Sequence, residues 1–475
     1  MKKQFIPSII LNNKKAVSGF YDRTVISNDP VALSISYNDA GCDSIIIFDQ
    51  SDDDLSHEEA LDIIKEICSN VDVPVIGAGN VKRMEDIKKL LYAGCKMAAL
   101  NFSKTENAAI LEEVSKKFGK DKIAVCYADT QLSKKVVEDN ADAINMYASK
   151  MIYLPRLSVL DCDNQHESFD YDYNNSPKDT YNENSNIDLE ESLMEHPVVV
   201  LDSVKSIPHI VYLDNPKANV SSIKGSSVAL LLSDKICAVT GSAVSVNAEN
   251  IVEIKDFAIE AGIDVERFES RFKWEDFKLD SNGLIPVVVQ DYRTDQVLMV
   301  AYMNEESYNA TLRTGKMTYY SRSRKTLWEK GDTSGHYQYV KSLACDCDLD
   351  TILAKVKQIG AACHTGSYSC FFNEIAKKDY TEKNPQKVLD SVYNVIADRK
   401  VNKREGSYTN YLFDKGLDKI LKKCGEEATE ITIAAKNENK NELVYEISDY
   451  LYHMMVLMVE KGVSWKDVTD ELSRR

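Results

Sequence analysis

Between residues 5 and 129, short apolar runs alternate with helical segments at a spacing that few folds can absorb. FIPSIIL, PVALSISYNDAG, SIIIFDQ, EEALDIIKEICS, VPVIGAG, RMEDIKKLLYAGC, KMAALNF, AAILEEVSKKFG and KIAVCYAD follow one another in that order. Strands separated by helices imply repeated βαβ units around a parallel sheet. This is half of a (βα)8 barrel or most of a doubly wound sheet, and periodicity leaves the choice open. Apolar runs resume as expected strands at HPVVVLD, HIVYLD and SVALLLS, followed by a helical NIVEIKDFAIEAG, so the α/β pattern is expected to close as one domain over 1–265. Residues 161–196 carry eleven acidic residues against one lysine and few aliphatics, the composition of an exposed, disordered insert.

From residue 271 the pattern turns β-rich, with GLIPVVVQD, QVLMVAYM, KMTYYSRS and YQYVKSLACDCD in a compact second domain ending near 376. A charged linker, KKDYTEKNPQ, precedes a third domain over 386–475 whose long apolar-periodic segments read as helices. The expected architecture is therefore multidomain: a barrel-like α/β region, a β-rich α+β domain and an all-α domain. The net charge of −17 repels nucleic acid and anionic membranes. The opening MKKQFIPSII lacks the features of a signal peptide, and no apolar run approaches the ~18 residues of a membrane span. Eleven irregularly spaced cysteines argue for reduced thiols and a cytoplasmic setting, so clustered cysteines are read as metal or catalytic.

One such cluster is ACDCDLD, residues 344–350. If YVKSLACDCD is a strand, Cys345 and Cys347 face one way while Asp346, Asp348 and Asp350 face the other. Carboxylates prefer hard cations such as Mg²⁺ and thiolates prefer Zn²⁺, so one strand would serve two sites. Downstream, AACHTGSYSCFF supplies Cys363 and Cys370, and with Cys347 these make three thiolates that leave a fourth tetrahedral position for water. His364 and His336 are nearby candidates to orient or deprotonate that water.

Four ordered stretches, GLIPVVVQDYRTDQVLMVAYMN, YYSRSRKTLWEKGDTSGH, DCDLD and CHTGSYSCF, together resemble phosphoribosyl-AMP cyclohydrolase of histidine biosynthesis. The resemblance implies magnesium on Asp346, Asp348 and Asp350, and zinc on Cys347, Cys363 and Cys370, with zinc shared between the chains of a dimer. Cys345 falls outside that ligand set. The implied reaction opens the adenine ring between N1 and C6, for which zinc brings a bound water toward a pKa of ~7. Arg322, Arg324 and Lys330 suit the substrate's phosphates, with Thr333 and Ser334 as neutral donors.

In the helical tail, Glu427 and Glu430 lie three apart and share a helix face, and Glu446 and Asp449 repeat the spacing. The second pair adjoins an expected core stripe of Leu443, Ile447, Leu451, Met454 and Met458. Two such pairs on facing helices form the inward carboxylate cluster by which bundles hold divalent metals. REGSYTNYLFDKGLDKILKKCGEEATEITIAAK and ELVYEISDYLYHMMVLM resemble phosphoribosyl-ATP pyrophosphohydrolase, an all-α enzyme. That resemblance implies Glu427, Glu430, Glu446 and Asp449 as magnesium ligands, with Glu427 also catalytic and Glu426 and Lys423 assisting. The product, phosphoribosyl-AMP, is the substrate expected of the preceding domain.

The front region, through FIPSIIL, DPVALSISYNDAGCDSIIIFD and PVIGAGNVKRMEDIKKLLYAGCKMAALN, resembles the cyclase subunit of imidazole glycerol phosphate synthase, a (βα)8 barrel. The family's first catalytic aspartate falls where this chain has Ile10, and the second aligns with Ala128, one residue before Asp129. Isoleucine cannot replace a carboxylate in acid–base chemistry, so a non-catalytic scaffold is expected. The phosphate loop survives in part as GAGN at Gly77–Asn80. The leading expectation is a bifunctional hydrolase of phosphoribosyl-ATP and phosphoribosyl-AMP, homodimeric and dependent on Zn²⁺ and Mg²⁺. Its alternatives are, for the front region, a scaffold with altered activity and, for the whole chain, a nucleotide-sanitising pyrophosphohydrolase with a structural zinc module or a catalytically dead assembly protein.

Overall fold

The computed structural model describes residues 1–20, 23–154, 200–438 and 440–473, so the acidic insert expected at 161–196 and most of HPVVVLD lie outside the described residues. Eight parallel strands follow one another: Gln4–Asn12, Ile45–Asp49, Val75–Gly79, Met97–Asn101, Ile123–Ala128, Lys150–Leu154, His209–Tyr212 and Ile236–Gly241. The last pairs back with the first, Gln4 opposite Ala238 and Ile6 opposite Thr240, so the sheet closes into a barrel. Closure settles what periodicity left open.

Strand alternation sorts the side chains into two layers. Ile46 and Phe48 join Ile6, Ile10, Ile76, Ala99, Cys126, Ile152 and Tyr212 inside the barrel, whereas Ile45 and Ile47 pack outward against helical residues such as Ile64, Ile67, Leu90 and Leu111. SVALLLS is not a strand. It ends the helix Val220–Leu231, which Asn219 caps by accepting from the Ser222 N–H, and whose Ile223, Leu230 and Leu231 are buried against the barrel. The strand comes later, at Ile236–Gly241. Gly79 has to be glycine, since its φ is +85° and a Cβ there would lie 2.2 Å from the Asp49 carbonyl oxygen of the neighbouring strand.

In the same compact unit, residues 1–373, the chain then forms a four-stranded sheet. Its order is Val297–Met303, Ile285–Asp291, Ile352–Gln358, Gln338–Cys345, and a two-stranded hairpin, Thr318–Ser321 with Thr326–Glu329, accompanies it. Ile285, Val287 and Val289 alternate inward to meet Leu298, Ile352, Ala354 and Val356 in a separate core.

The second compact unit, residues 374–475, contains the helices Pro385–Val401, Tyr408–Lys415, Leu417–Ala434, Lys440–Lys461 and Trp465–Leu472. The stripe expected to be core is mostly not core: Ile447 is exposed and Leu443, Leu451 and Met454 are half-buried, while Met455, Val456 and Met458 pack with Ile396, Leu412 and Ile420. The helix was correctly placed, but its inward face is rotated from the expected one. Among the described residues no helix is long and apolar enough to cross a membrane.

Candidate active sites

The metal-ligand stretch does not lie in a strand. The strand ends at Cys345, and residues 346–350 turn back on themselves with Leu349 at a φ of +63°. Asp346 organises the turn, its carboxylate accepting from the backbone N–H of Asp350 at 3.0 Å and of Thr351 at 3.2 Å. This folding, rather than strand alternation, brings oxygens of Asp346, Asp348 and Asp350 within 4.8 Å of one another. Three exposed carboxylates at that separation repel and fit a hard cation by the chemistry of the donor set. Cys345 is half-buried and packs against the sheet core.

Cys363 and Cys370 come together in the loop that follows strand Ile352–Gln358. The Cys363 N–H donates to the Ser367 carbonyl and the Cys370 N–H to the Leu298 carbonyl, and the folded loop brings the two thiols close enough for each to influence the other's ionisation. Thr365 donates its hydroxyl to Cys363 Sγ at 3.1 Å and holds that thiol below its ordinary pKa, while burial and the neighbouring Cys363 push Cys370 up. Two adjacent thiols, one of them made easier to ionise, suit a soft cation. Cys347 does not join them: it is exposed in the aspartate turn, 4.0 Å from an Asp348 oxygen, and among the described residues no three of these cysteines gather.

His364 sits beside the pair, Nδ1 3.9 Å from Cys363 Sγ. His336 lies over the backbone of Gly360, where a Cβ would be 2.6 Å from its ring, so that glycine is what admits the imidazole. Lys330 stands apart from the arginines. It is only 5% exposed, donates to the His336 carbonyl at 3.3 Å, and is held down by burial against the opposing pull of Cys370 and Cys363. Thr333 and Ser334 are exposed in the adjoining turn.

Arg322 and Arg324 project from the hairpin. Arg322 is stacked on Tyr302 with its guanidinium carbon 3.7 Å from the ring centroid, and Arg324 lies 5.9 Å from the Trp328 ring. Tyr302 is a residue that sequence reasoning missed, since nothing in QVLMVAYM marks it off from a core aromatic. A partly exposed cation–π contact contributes about 0.5–1 kcal/mol, so Tyr302→Leu is expected to raise the KM for phosphoribosyl-AMP about two- to fivefold with kcat nearly unchanged, and Tyr302→Phe to restore it. Steady-state kinetics check this.

In the helical unit, Glu427, Glu446 and Asp449 bring carboxylate oxygens within 4.8 Å of one another, with Glu427 buried. Glu430 borders the group, exposed but in contact with Glu446. Partial burial, then Glu430, Glu427 and Asp449, push the Glu446 carboxyl above its usual range. Lys423 bridges Glu426 at 3.0 Å and Glu427 at 3.1 Å. His453, absent from the expected set, is buried among these groups: it pairs through Nδ1 with the Asp449 carbonyl at 2.8 Å and through Nε2 with the Tyr408 hydroxyl at 3.0 Å, with Nδ1 3.5 Å from Glu427. Its spacing of four from Asp449 on one helix was the available signal.

Among the described residues, apolar side chains gather at the C-terminal end of the barrel strands. Ile10 is buried in the interior layer and Asp129 is paired with Lys134. Phe20, from the hairpin after the first strand, packs on Phe48 and Tyr212 with ring centroids 5.1 and 5.4 Å away. Gln50 tethers that hairpin by donating to the Phe20 carbonyl at 3.3 Å.

Comparison with known proteins agrees with this division. The phosphoribosyl-AMP cyclohydrolase family matches residues 299–372, the phosphoribosyl-ATP pyrophosphohydrolase family residues 389–475, and a family described as histidine biosynthesis protein residues 4–151. The histidine biosynthesis bifunctional protein HisIE of Thermoanaerobacter pseudethanolicus is 52% identical over 210 residues, 42% of this chain and 97% of the relative. The proteins of that name from Lactococcus lactis and Bacillus subtilis are 50% and 47% identical over 192 and 201 residues, covering 40% and 42% of this chain and 88% and 95% of the relatives.

Proposed function

The chain belongs to the family of HisIE bifunctional proteins of histidine biosynthesis and is a bifunctional hydrolase, and from that premise we propose which residues perform each step. The helical unit releases pyrophosphate from phosphoribosyl-ATP. Glu427, Glu430, Glu446 and Asp449 would hold magnesium, which when bound supplies charge neutralisation at the phosphates. Glu427, buried between Lys423 and His453, is assigned to orienting the attacking water, and Lys423 is close enough to offset the acids when a polyphosphate enters.

Ring opening belongs to the cyclohydrolase sheet. Water adds at C6, the N1–C6 bond breaks and N1 takes up a proton. Cys363 and Cys370 would hold zinc, which when bound supplies a water ionisable near neutral pH. Cys347 completes the set from a second copy, since it does not reach the pair in its own chain. His364 and His336 are assigned to proton movement beside the thiols, Arg322 and Arg324 to phosphate, Thr333 and Ser334 to neutral hydrogen bonds, and Asp346, Asp348 and Asp350 to magnesium. Lys330, buried by the thiols, serves there rather than on an open phosphate surface. A homodimer is further supported by the exposed Val444, Tyr445 and Ile447 on the helix that carries Glu446.

The barrel is a non-catalytic scaffold. The aromatic packing at its mouth carries that reading, because barrel enzymes work at the C-terminal ends of their strands, where Phe20 and its partners now sit. The test is an absorbance assay of the purified chain with phosphoribosyl-ATP, zinc and magnesium. The expected result is pyrophosphate release followed by ring opening. Accumulation of phosphoribosyl-AMP would overturn the cyclohydrolase assignment, and turnover in a ring-closure assay would overturn the scaffold reading.

A further inference from the structure

The barrel and the cyclohydrolase sheet meet through complementary charge. Asp39, the last residue of helix Pro30–Asp39, pairs with Lys357 at 3.4 Å, and both side chains are largely buried. The Tyr339 phenol lies near the same carboxylate and is raised first by burial and then by that aspartate. Asp72, just beyond helix Asp54–Asn70, pairs with Lys341, and Asp256 on helix Ile251–Glu260 pairs with Arg313 at 3.0 Å. Asn38 joins the two acidic points, donating to Asp39 at 2.8 Å and accepting from the Asp72 N–H at 2.9 Å.

On the sheet side, Tyr339 and Lys357 are direct cross-strand partners, and the register shift between Val340 and Ser342 falls at Lys341. A bulge re-aims the residue that it carries, here toward the barrel. Both strands lead into chemistry. Gln338–Cys345 runs into the Asp346 turn, and Ile352–Gln358 into the loop of Cys363 and Cys370. Asp39 and Asp72 lie at or just past the C-terminal ends of their helices, where a partner's cations also meet favourable helix dipoles. Those ends sit at the N-terminal face of the barrel strands, the end that serves stability, opposite the mouth that Phe20 fills.

We propose that the barrel is a built-in brace of the cyclohydrolase: Asp39 and Asp72, through Lys357, Lys341 and Tyr339, hold the two strands from which the metal-ligand turn and the thiol loop spring. The inference extends the proposed function and rests on its assignment of ring opening to this sheet. It names what the scaffold supports.

An isolated surface ion pair contributes little, so the test reverses charge at two points of the full chain, Asp39→Lys with Asp72→Lys. Hydrogen exchange in Gln338–Cys345 and Ile352–Gln358 is expected to quicken. Ring opening is expected to fall about tenfold or more, since a shift of ~1 Å in a catalytic group costs up to ~100-fold. Pyrophosphate release, which uses the other compact unit, stays within about twofold and shows that the second unit is intact, while an unchanged far-UV circular dichroism spectrum shows that the barrel remains folded. Adding Lys357→Asp and Lys341→Asp to the same chain restores exchange protection and ring opening. Unchanged ring opening, with or without faster exchange, overturns the brace, as does a loss that the charge swap leaves unrepaired. Ring-closure turnover by the unmodified chain would instead overturn the non-catalytic reading and leave the brace standing.

Discussion

In Glu446→Gln, pyrophosphate release from phosphoribosyl-ATP falls at least ~100-fold, because loss of a residue that merely supports a metal ligand already costs 10- to 100-fold and Glu446 is assigned as a ligand itself. Ring opening of phosphoribosyl-AMP supplied directly is retained. The substitution keeps size and removes charge, so it acts on the cluster formed with Glu427 and Asp449 rather than on the small core of Ile396, Leu412, Ile420 and Val456. It also relieves the repulsion that holds the Glu446 carboxyl above its usual range, so the folded unit is expected to be no less stable without magnesium. Separate pyrophosphate and absorbance assays check both halves, and a parallel melt separates lost chemistry from lost folding. Loss of ring opening in the same folded variant would contradict two independent sites.

What the sequence conveyed, and what it withheld, follows from the range of the interactions involved. The alternation from FIPSIIL to KIAVCYAD sufficed for parallel βαβ units, since each segment carries its own periodicity, whereas closure needed the pairing of the first strand with Ile236–Gly241, more than two hundred residues away. SVALLLS misled because a short apolar run satisfies a buried strand and the end of a buried helix equally. In ACDCDLD the residue types marked a concentration of acids and thiols, but no rule predicts a left-handed Leu349, so the turn that gathers the three aspartates was hidden. The acid pairs of the helical unit were legible because three-residue spacing fixes a shared face. Which face turns inward was not, and with it went His453 and the half-exposed stripe.

Cys363→Ser is expected to abolish ring opening while leaving pyrophosphate release intact, so the variant accumulates phosphoribosyl-AMP from phosphoribosyl-ATP. Serine has nearly the cysteine's shape but a hydroxyl that stays protonated at neutral pH and offers a hard oxygen where a soft thiolate is needed. The Thr365 hydroxyl at 3.1 Å, which favours the thiolate at this position, would find no anion to serve. Bound zinc per chain, measured on purified protein, is expected to fall together with ring opening, which distinguishes a lost ligand from a lost general base. His364→Asn, by contrast, is expected to keep zinc while slowing ring opening about 10²- to 10⁴-fold, the usual contribution of a positioned acid–base group. If Cys363→Ser keeps full zinc and full ring opening, the thiol pair is structural, and the open coordination position must be sought around Cys347 and the aspartate turn instead.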